Sequence, residues 1–278
     1  GLYFLTKGRK NVKGEGLVFS GLDELVFAYQ RRSVNIQAHI RLRLKSGRIV
    51  DTTVGRALLY ETLPEGTEFE WINKAIKKKD LSKLISRIYK TFGMEKTVES
   101  LDKIKSLGFA NATYAGISLS MEDLIIPESK KNVVKKATEG VAKIESLYKD
   151  GAITNGERYN NVIQIWARTT EEVANDMLLE LEFQDRKSGL NENKENQPFN
   201  PVFMMLDSGA RGSKQQIRQL CAMRGLMAKP SGEILETPVL ANFKDGLNVF
   251  EYFVSTHGAR KGLADTALKT ADSGYLTR

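Results

Sequence analysis

The chain has 278 residues, 41% of them hydrophobic, enough for one or two packed cores. Forty-two Lys and Arg against 34 Asp and Glu leave a net charge of +8, which permits contact with nucleic acid without demanding it. A single cysteine, Cys221, and two histidines, His39 and His257, exclude an internal disulfide, a cysteine-based zinc cluster and a metal site built from these residues alone.

The composition, with its single cysteine, suits a reducing cytoplasm; no apolar run approaches the roughly 20 residues of a membrane span, and no signal peptide opens the chain. Gly1 to Thr6 lacks an initiator Met, and Gly274 to Arg278 stops without a helix-ending Gly or Pro; both ends read as cut. The fold class expected is α+β and predominantly helical. It has a small β-hairpin region near the N-terminus, an antiparallel coiled-coil hairpin and a long C-terminal helix.

Residues 34–54 carry the β signal. Ile36, Ala38, Ile40, Leu42 and Leu44 alternate with Gln37, His39, Arg41 and Arg43, a turn follows at Lys45-Ser46-Gly47, and Arg48-Ile49-Val50 begins the return. His39 falls on the polar face, a solvated strand residue. From about 55 to 120 the signals are short helices, broken at Pro64-Glu65-Gly66, Gly93 and Gly108. Trp71, Ile72, Ile76, Leu81, Leu84, Ile85 and Ile88 mark their core faces. Residues 1–120 are taken as one segment.

The next segment, 121–182, holds two helices. Val134, Ala137, Val141, Ile144 and Tyr148 step by three and four, and Val162, Trp166, Thr169, Val173 and Met177 repeat the rhythm. The turn pairs Asp150-Gly151 and Asn155-Gly156 lie between them, and Thr154 with Glu157 forms a capping box that starts the second helix. The spacing fits both a protruding docking hairpin and an ordinary pair within a bundle.

Residues 183–199 are polar and breaker-rich and read as a flexible loop. Residues 200–247 are rich in Gly, Arg and short apolar runs. Asn248 to Arg278 contains no Pro and reads as one helix of about 45 Å. Its apolar residues form no single stripe, so it is either buried all round or crosses a gap between masses. Gly258 and Gly262, four apart, would let it bend or admit close approach of another backbone or a nucleic acid.

Chemistry is sparse. Ser208-Gly209-Ala210-Arg211-Gly212-Ser213 has neither Walker A spacing nor the glycine of a nucleophile elbow, but a glycine-flanked guanidinium can reach a phosphate. No D-x-D-G-D or similar carboxylate cluster is present to hold a pair of catalytic Mg²⁺ ions.

Residues 200–213, 216–220, 223–228 and above all Phe253 to Arg278 together carry a resemblance to the largest-subunit (beta-prime) family of bacterial DNA-directed RNA polymerases. Gly14-Glu15-Gly16, Asp51-Thr52-Thr53-Val54-Gly55-Arg56, Ile126-Pro127-Glu128 and Gly156-Glu157-Arg158-Tyr159-Asn160 extend it along the whole chain. The resemblance implies a piece of a nucleotidyltransferase covering a pore segment, secondary-channel rim helices, an F-loop and most of the bridge helix.

By that resemblance Arg211 would reach the triphosphate of the incoming nucleotide. Thr270 and Ala271 would face the templating base pair, and Lys269, His257, Arg260 and Lys261 would line the bridge helix beside nucleic acid. Gly258 and Gly262 would act as its hinge. Leu226, Met227 and Gly232 would belong to the F-loop, and Tyr159, Asn160, Asn161 and Gln164 to the rim where secondary-channel factors dock. Asn161 and Gln164 depart from the family's usual Lys and Asp, which puts regulator binding there in doubt. Cys221-Ala222 stands where Ala-Gly is common, a change that should pack.

The implied partners are the remainder of the beta-prime subunit, the beta subunit, template DNA and the RNA–DNA hybrid, and secondary-channel transcription factors, with no membrane. No catalytic residue and no cofactor is expected in this segment, although the whole enzyme would use Mg²⁺. Two other readings are a protein-interaction module built on the hairpin and a free-standing nucleic-acid binder, the latter resting on charge alone.

Overall fold

The computed structural model describes residues 1–188, 199–229 and 231–277, and it divides into two compact units. One holds Gly1–Asp123 and Glu182–Gly212; the other holds Leu124–Leu181 and the residues from Ser213 onward. The architecture is mainly helical with one small sheet, as the composition and periodicity predict.

In the first unit a short helix α1 (Leu2–Thr6) precedes strand β1 (Val18–Phe19), helix α2 (Leu22–Gln30), strands β2 (His39–Arg43) and β3 (Ile49–Thr53), and helix α3 (Val54–Glu61). The predicted hairpin is β2 against β3, antiparallel, with His39 opposite Thr53 and Arg43 opposite Ile49. Ile40 and Leu42 point into the core and Arg41 and Arg43 away from it, the alternation of a half-buried strand. A third strand was not expected: β1 pairs parallel to β2, Val18 opposite Arg41. Gln37 does not share the polar face assigned to it. It lies before the strand begins and is buried, its Nε2 donating to the Phe4 carbonyl at 2.9 Å.

Thr53 caps α3, its Oγ1 accepting from the Arg56 backbone N–H at 3.4 Å. Helix α1 is pressed onto this cap: Arg56 Nε donates to the Thr6 carbonyl at 2.9 Å, and Thr6 Oγ1 accepts the Ile76 N–H at 2.9 Å. A β-carbon on Gly55 would lie 1.9 Å from the Leu5 carbonyl oxygen, so only glycine fits that approach. Leu5, Leu25, Leu42, Leu59, Ile72 and Ile88 are almost completely buried and form the centre of this core.

The break expected at Gly93 is present: α4 (Lys78–Ala115) is two helical stretches joined across a kink where Gly93 takes the non-helical φ 80° and ψ −177°. Gly108 does not break it. A later helix, α7 (Pro201–Ser208), is capped by Asn200, whose Oδ1 accepts the Val202 and Phe203 N–H groups at 3.0 and 3.1 Å. Its Asp207 accepts from Tyr3 Oη and Lys77 Nζ, both at 2.6 Å. Burial works against ionisation of Asp207, but Lys77 and Tyr3 outweigh it and hold the carboxyl below its ordinary range.

In the second unit, α5 (Lys130–Lys149) and α6 (Asn155–Ser188, which continues into the first unit) are the two predicted helices of the hairpin. The predicted capping box is present: Glu157 Oε2 accepts the Thr154 N–H at 2.8 Å, and Thr154 Oγ1 accepts that of Glu157 at 3.3 Å. Ala137, Val162 and Trp166 are buried together, with Val141 and Ile144 packed on them. The loop predicted at 183–199 needs correction. Residues 183–188 are the end of α6, where Asp185 pairs with Lys7 Nζ at 2.5 Å, and Phe199 is buried; residues 189–198 lie outside the described residues. Helix α8 (Lys214–Cys221), capped by Ser213, and the long helix α9 (Val249–Leu276) complete the unit.

Candidate functional site

The start of α9 is locked to the extended segment before it by one side chain. Asn248 and Glu251 form a reciprocal cap: Asn248 Oδ1 accepts the Glu251 N–H at 2.8 Å, and Glu251 Oε2 accepts that of Asn248 at 3.2 Å. The other oxygen, Oε1, accepts the N–H groups of Leu240 and Ala241 at 3.1 and 3.0 Å. That segment turns back on itself, with Gly225 bridged to Val239 and Ala228 to Ile234 around Gly232, which takes φ 95°.

Met227 and Val239 from this turn are buried with Val254 of α9. A β-carbon on Gly258 would sit 3.5 Å from the Met227 sulfur, an ordinary contact. The sequence-predicted loop residue Met227 and hinge residue Gly258 are therefore neighbours. Gly262 has nothing within 4 Å of that position. Leu226 packs instead on the Ala137–Val162–Trp166 cluster of the helical pair.

Asn242 ties the base of the turn together, completely buried. Its Nδ2 donates to the carbonyls of Cys221 and Ala222 at 3.0 and 3.1 Å and to Asp245 Oδ2 at 3.0 Å, while its Oδ1 accepts the Asp245 N–H at 2.7 Å. Farther out, Arg158 makes a two-pronged contact with Glu236 at 2.7 and 2.8 Å, and Tyr159 Oη donates to the Ile234 carbonyl at 2.9 Å. Sequence reading missed Glu251, Asn242 and the Arg158–Glu236 pair. Only the first left a local trace, the N-x-x-E spacing of a capping box.

Beyond this anchored end α9 loses its packing. His257 is half-buried, its ring edge-on to Phe253 at 5.7 Å. Arg260 is exposed, Lys261 half-exposed, and among residues 262–277 every one but the half-exposed Asp265 is exposed, Lys269, Thr270 and Ala271 included. Leu263, Leu268, Tyr275 and Leu276 are 65–83% exposed, so the helix is not buried all round. Thr266 and Thr270 turn their hydroxyls back onto the carbonyls of Gly262 and Thr266, at 2.8 and 2.7 Å, leaving their methyl groups as the outward surface. Hydrogen exchange is the check. Amides of residues 253–260 should be protected and those of 264–276 should exchange at close to the rate of an unfolded peptide, because no buried contact opposes their opening. Uniform protection along the helix would contradict this.

Arg211 is exposed, between Gly209 at φ 71° and Gly212 at φ 85°, one residue short of the Ser213 cap. On the helical pair, Asn160, Asn161 and Gln164 are exposed, whereas Tyr159 is half-buried and already engaged with the turn. No group of three or more His, Cys, Asp or Glu side chains suited to a metal occurs among the described residues. No helix among them is long and apolar enough to cross a membrane.

Cys221 is buried against this region, and burial pushes its thiol up to about 11. A disulfide reagent at pH 8 should leave it unmodified in the native chain and label it fully in denaturant. The unfolded thiol ionises near 8.5, so this site should remove stability as pH rises from there through about 11. Fast labelling of the folded chain would show the burial to be wrong.

Three family models match in chain order: RNA polymerase Rpb1, domain 3, over residues 1–124; domain 4, over 153–251; and domain 5, over 246–278. The DNA-directed RNA polymerase subunit beta' of Thermodesulfovibrio yellowstonii is 53% identical over 279 aligned residues, covering all of this chain and 20% of that protein. The subunit beta' of Methylibium petroleiphilum is 50% identical over 291, covering all of this chain and 21% of its own length. The chain thus spans about a fifth of the curated relatives it matches.

Proposed function

The chain belongs to the RNA polymerase Rpb1 family, and from that membership we propose that it forms part of the catalytic subunit of a DNA-directed RNA polymerase, shaping the active site. The observation that carries this is α9, fixed by its first turns and unpacked along the rest of its length. A helix with so little supporting surface in its own chain is suited to crossing a gap lined by other masses.

In this reading α9 is the bridge helix. Thr270 and Ala271 present small groups to the templating base pair, and Lys269, Arg260, Lys261 and His257 face nucleic acid or moving elements. Gly258 and Gly262 allow the bend, and residues 221–238, around Met227 and Gly232, form the F-loop, bearing on Gly258 through Met227. Arg211 reaches the nucleotide triphosphate. Helices α5 and α6 form the rim of the secondary channel, where Asn160, Asn161 and Gln164 are free to meet a factor while Tyr159 is tied to the turn. The remaining beta-prime residues, the beta subunit, template and hybrid are its partners in the cytoplasm. The family comparisons do not favour the alternative of a free-standing docking module.

The sequence has no D-x-D-G-D or similar spacing, and among the described residues no acidic cluster suited to a catalytic Mg²⁺ occurs. We therefore expect the chain alone to make no RNA. The test is a segment exchange, with this chain replacing the matching residues of the T. yellowstonii subunit. Polymerase assembled with the hybrid subunit should extend an RNA primer on a DNA template. An assembled hybrid without extension would refute the reading.

A further inference from the structure

A cavity of about 740 Å³ lies within the first unit, and every described residue that lines it belongs to that unit. Its floor is apolar, with buried Val34, Ile36 and Met204. Two of the polar side chains beside it are engaged: Asn35 Oδ1 accepts the Gln37 N–H at 2.9 Å, and Gln37 Nε2 donates to the Phe4 carbonyl at 2.9 Å. Such a floor gives up little on losing water and favours an apolar body.

Its walls are aromatic. Phe199 is buried, and Tyr29 and Tyr114 stand on the lining as well. Burial first, and then the nearby Tyr114, hold the Tyr29 hydroxyl in its neutral form. Three rings around an apolar floor suit a flat molecule, since offset stacking and edge contacts both reward planarity.

Its lining is also cationic, with Lys13, Arg32 and Arg9; the Arg9 guanidinium carbon is 5.7 Å and Lys7 Nζ 4.1 Å from the Phe199 ring centre. Neither Lys13 nor Arg32 takes part in any ion pair among the described residues. The one carboxylate among the described lining residues, Asp123, accepts the Ser120 N–H at 2.7 Å. Arg32 is also in the wrong backbone state for its type: φ is +56°, the left-handed region that favours glycine. Its carbonyl accepts Lys13 Nζ at 2.9 Å. A strained residue that glycine would relieve, lining a cavity with a guanidinium in no ion pair among the described residues, is where function offsets stability.

We propose that this cavity binds a small planar aromatic anion, its ring against Tyr29, Tyr114 and Phe199 and its charge on Arg32 and Lys13. A nucleotide phosphate and an aromatic carboxylate share that chemistry. Calorimetric titration of the whole chain with adenosine monophosphate, 1-naphthoate, adenosine and inorganic phosphate separates the sources. At least one of the two anions should bind below about 1 mM, with adenosine and phosphate at least about tenfold weaker. The tighter of the two names the source.

Two variants keep the site accountable. Arg32→Gly should raise the melting temperature, because glycine accepts the positive φ, and yet weaken the anion about tenfold. Tyr114→Ala, at a side chain 72% exposed, should leave the fold intact and weaken binding by a similar factor. No heat with either anion, or unchanged affinity in Arg32→Gly, would overturn the proposal. Neither outcome bears on RNA synthesis by the segment-exchange hybrid.

Discussion

Gly55→Ala should be among the most damaging single substitutions in the chain, costing at least about 3 kcal/mol of folding stability. The added β-carbon would fall 1.9 Å from the Leu5 carbonyl oxygen and 2.7 Å from its carbon, and those are backbone atoms that cannot swing away. Helix α1 is held where it is from both sides, by Arg56 Nε on the Thr6 carbonyl and by Thr6 Oγ1 on the Ile76 N–H. Relief therefore requires α1 to lift from the cap of α3, uncovering Leu5 at the centre of the core. Gly47→Ala is the control. Its φ of 83° also disfavours alanine, but nothing lies within 4 Å, so backbone strain of about 1 kcal/mol is all it should cost. Equal denaturation midpoints for the two variants would contradict the packing described.

Arg211→Ala, built into the hybrid polymerase, should lower kcat/KM for nucleotide addition by about a hundredfold. Gly209 at φ 71° closes α7 and Gly212 at φ 85° leads into the Ser213 cap, so the arginine is presented on a short loop with no bulky neighbour in sequence. Its fork can take two phosphate oxygens at once, which a lysine cannot. Arg211→Lys should consequently recover only part of the loss. Because the residue is exposed, neither variant should change stability by more than about 0.5 kcal/mol. An effect under twofold on kcat/KM would remove Arg211 from the substrate contacts.

What could be read in the sequence was what neighbours in sequence decide. The β2–β3 hairpin follows from strict alternation at 38–44, the start of α6 from Thr154 and Glu157, and the length of α9 from the missing prolines. What could not be read depended on distant partners. Strand β1 is two residues long and shows no period of its own. Gly108 stays helical in α4, where its own weak preference is overruled by packing near Leu2. Helix α6 persists through 183–188, where the composition suggests a loop, with Asp185 on its last turns meeting Lys7. Asn242 sits in an unremarkable stretch, and its buried acceptors on Cys221 and Ala222 lie 21 and 20 residues away. The family resemblance supplied roles for Met227 and Gly258, and the structure supplied the contact between them.

The most direct measurement is single-nucleotide addition by rapid quench, comparing the hybrid polymerase with its parent under saturating nucleotide. If α9 and the turn beneath it form the active-site bridge and its support, the 53% identical segment should add nucleotides within about tenfold of the parent rate. A fully assembled hybrid that binds template and hybrid duplex normally, yet adds nucleotides more than about ten-thousandfold more slowly, would contradict it.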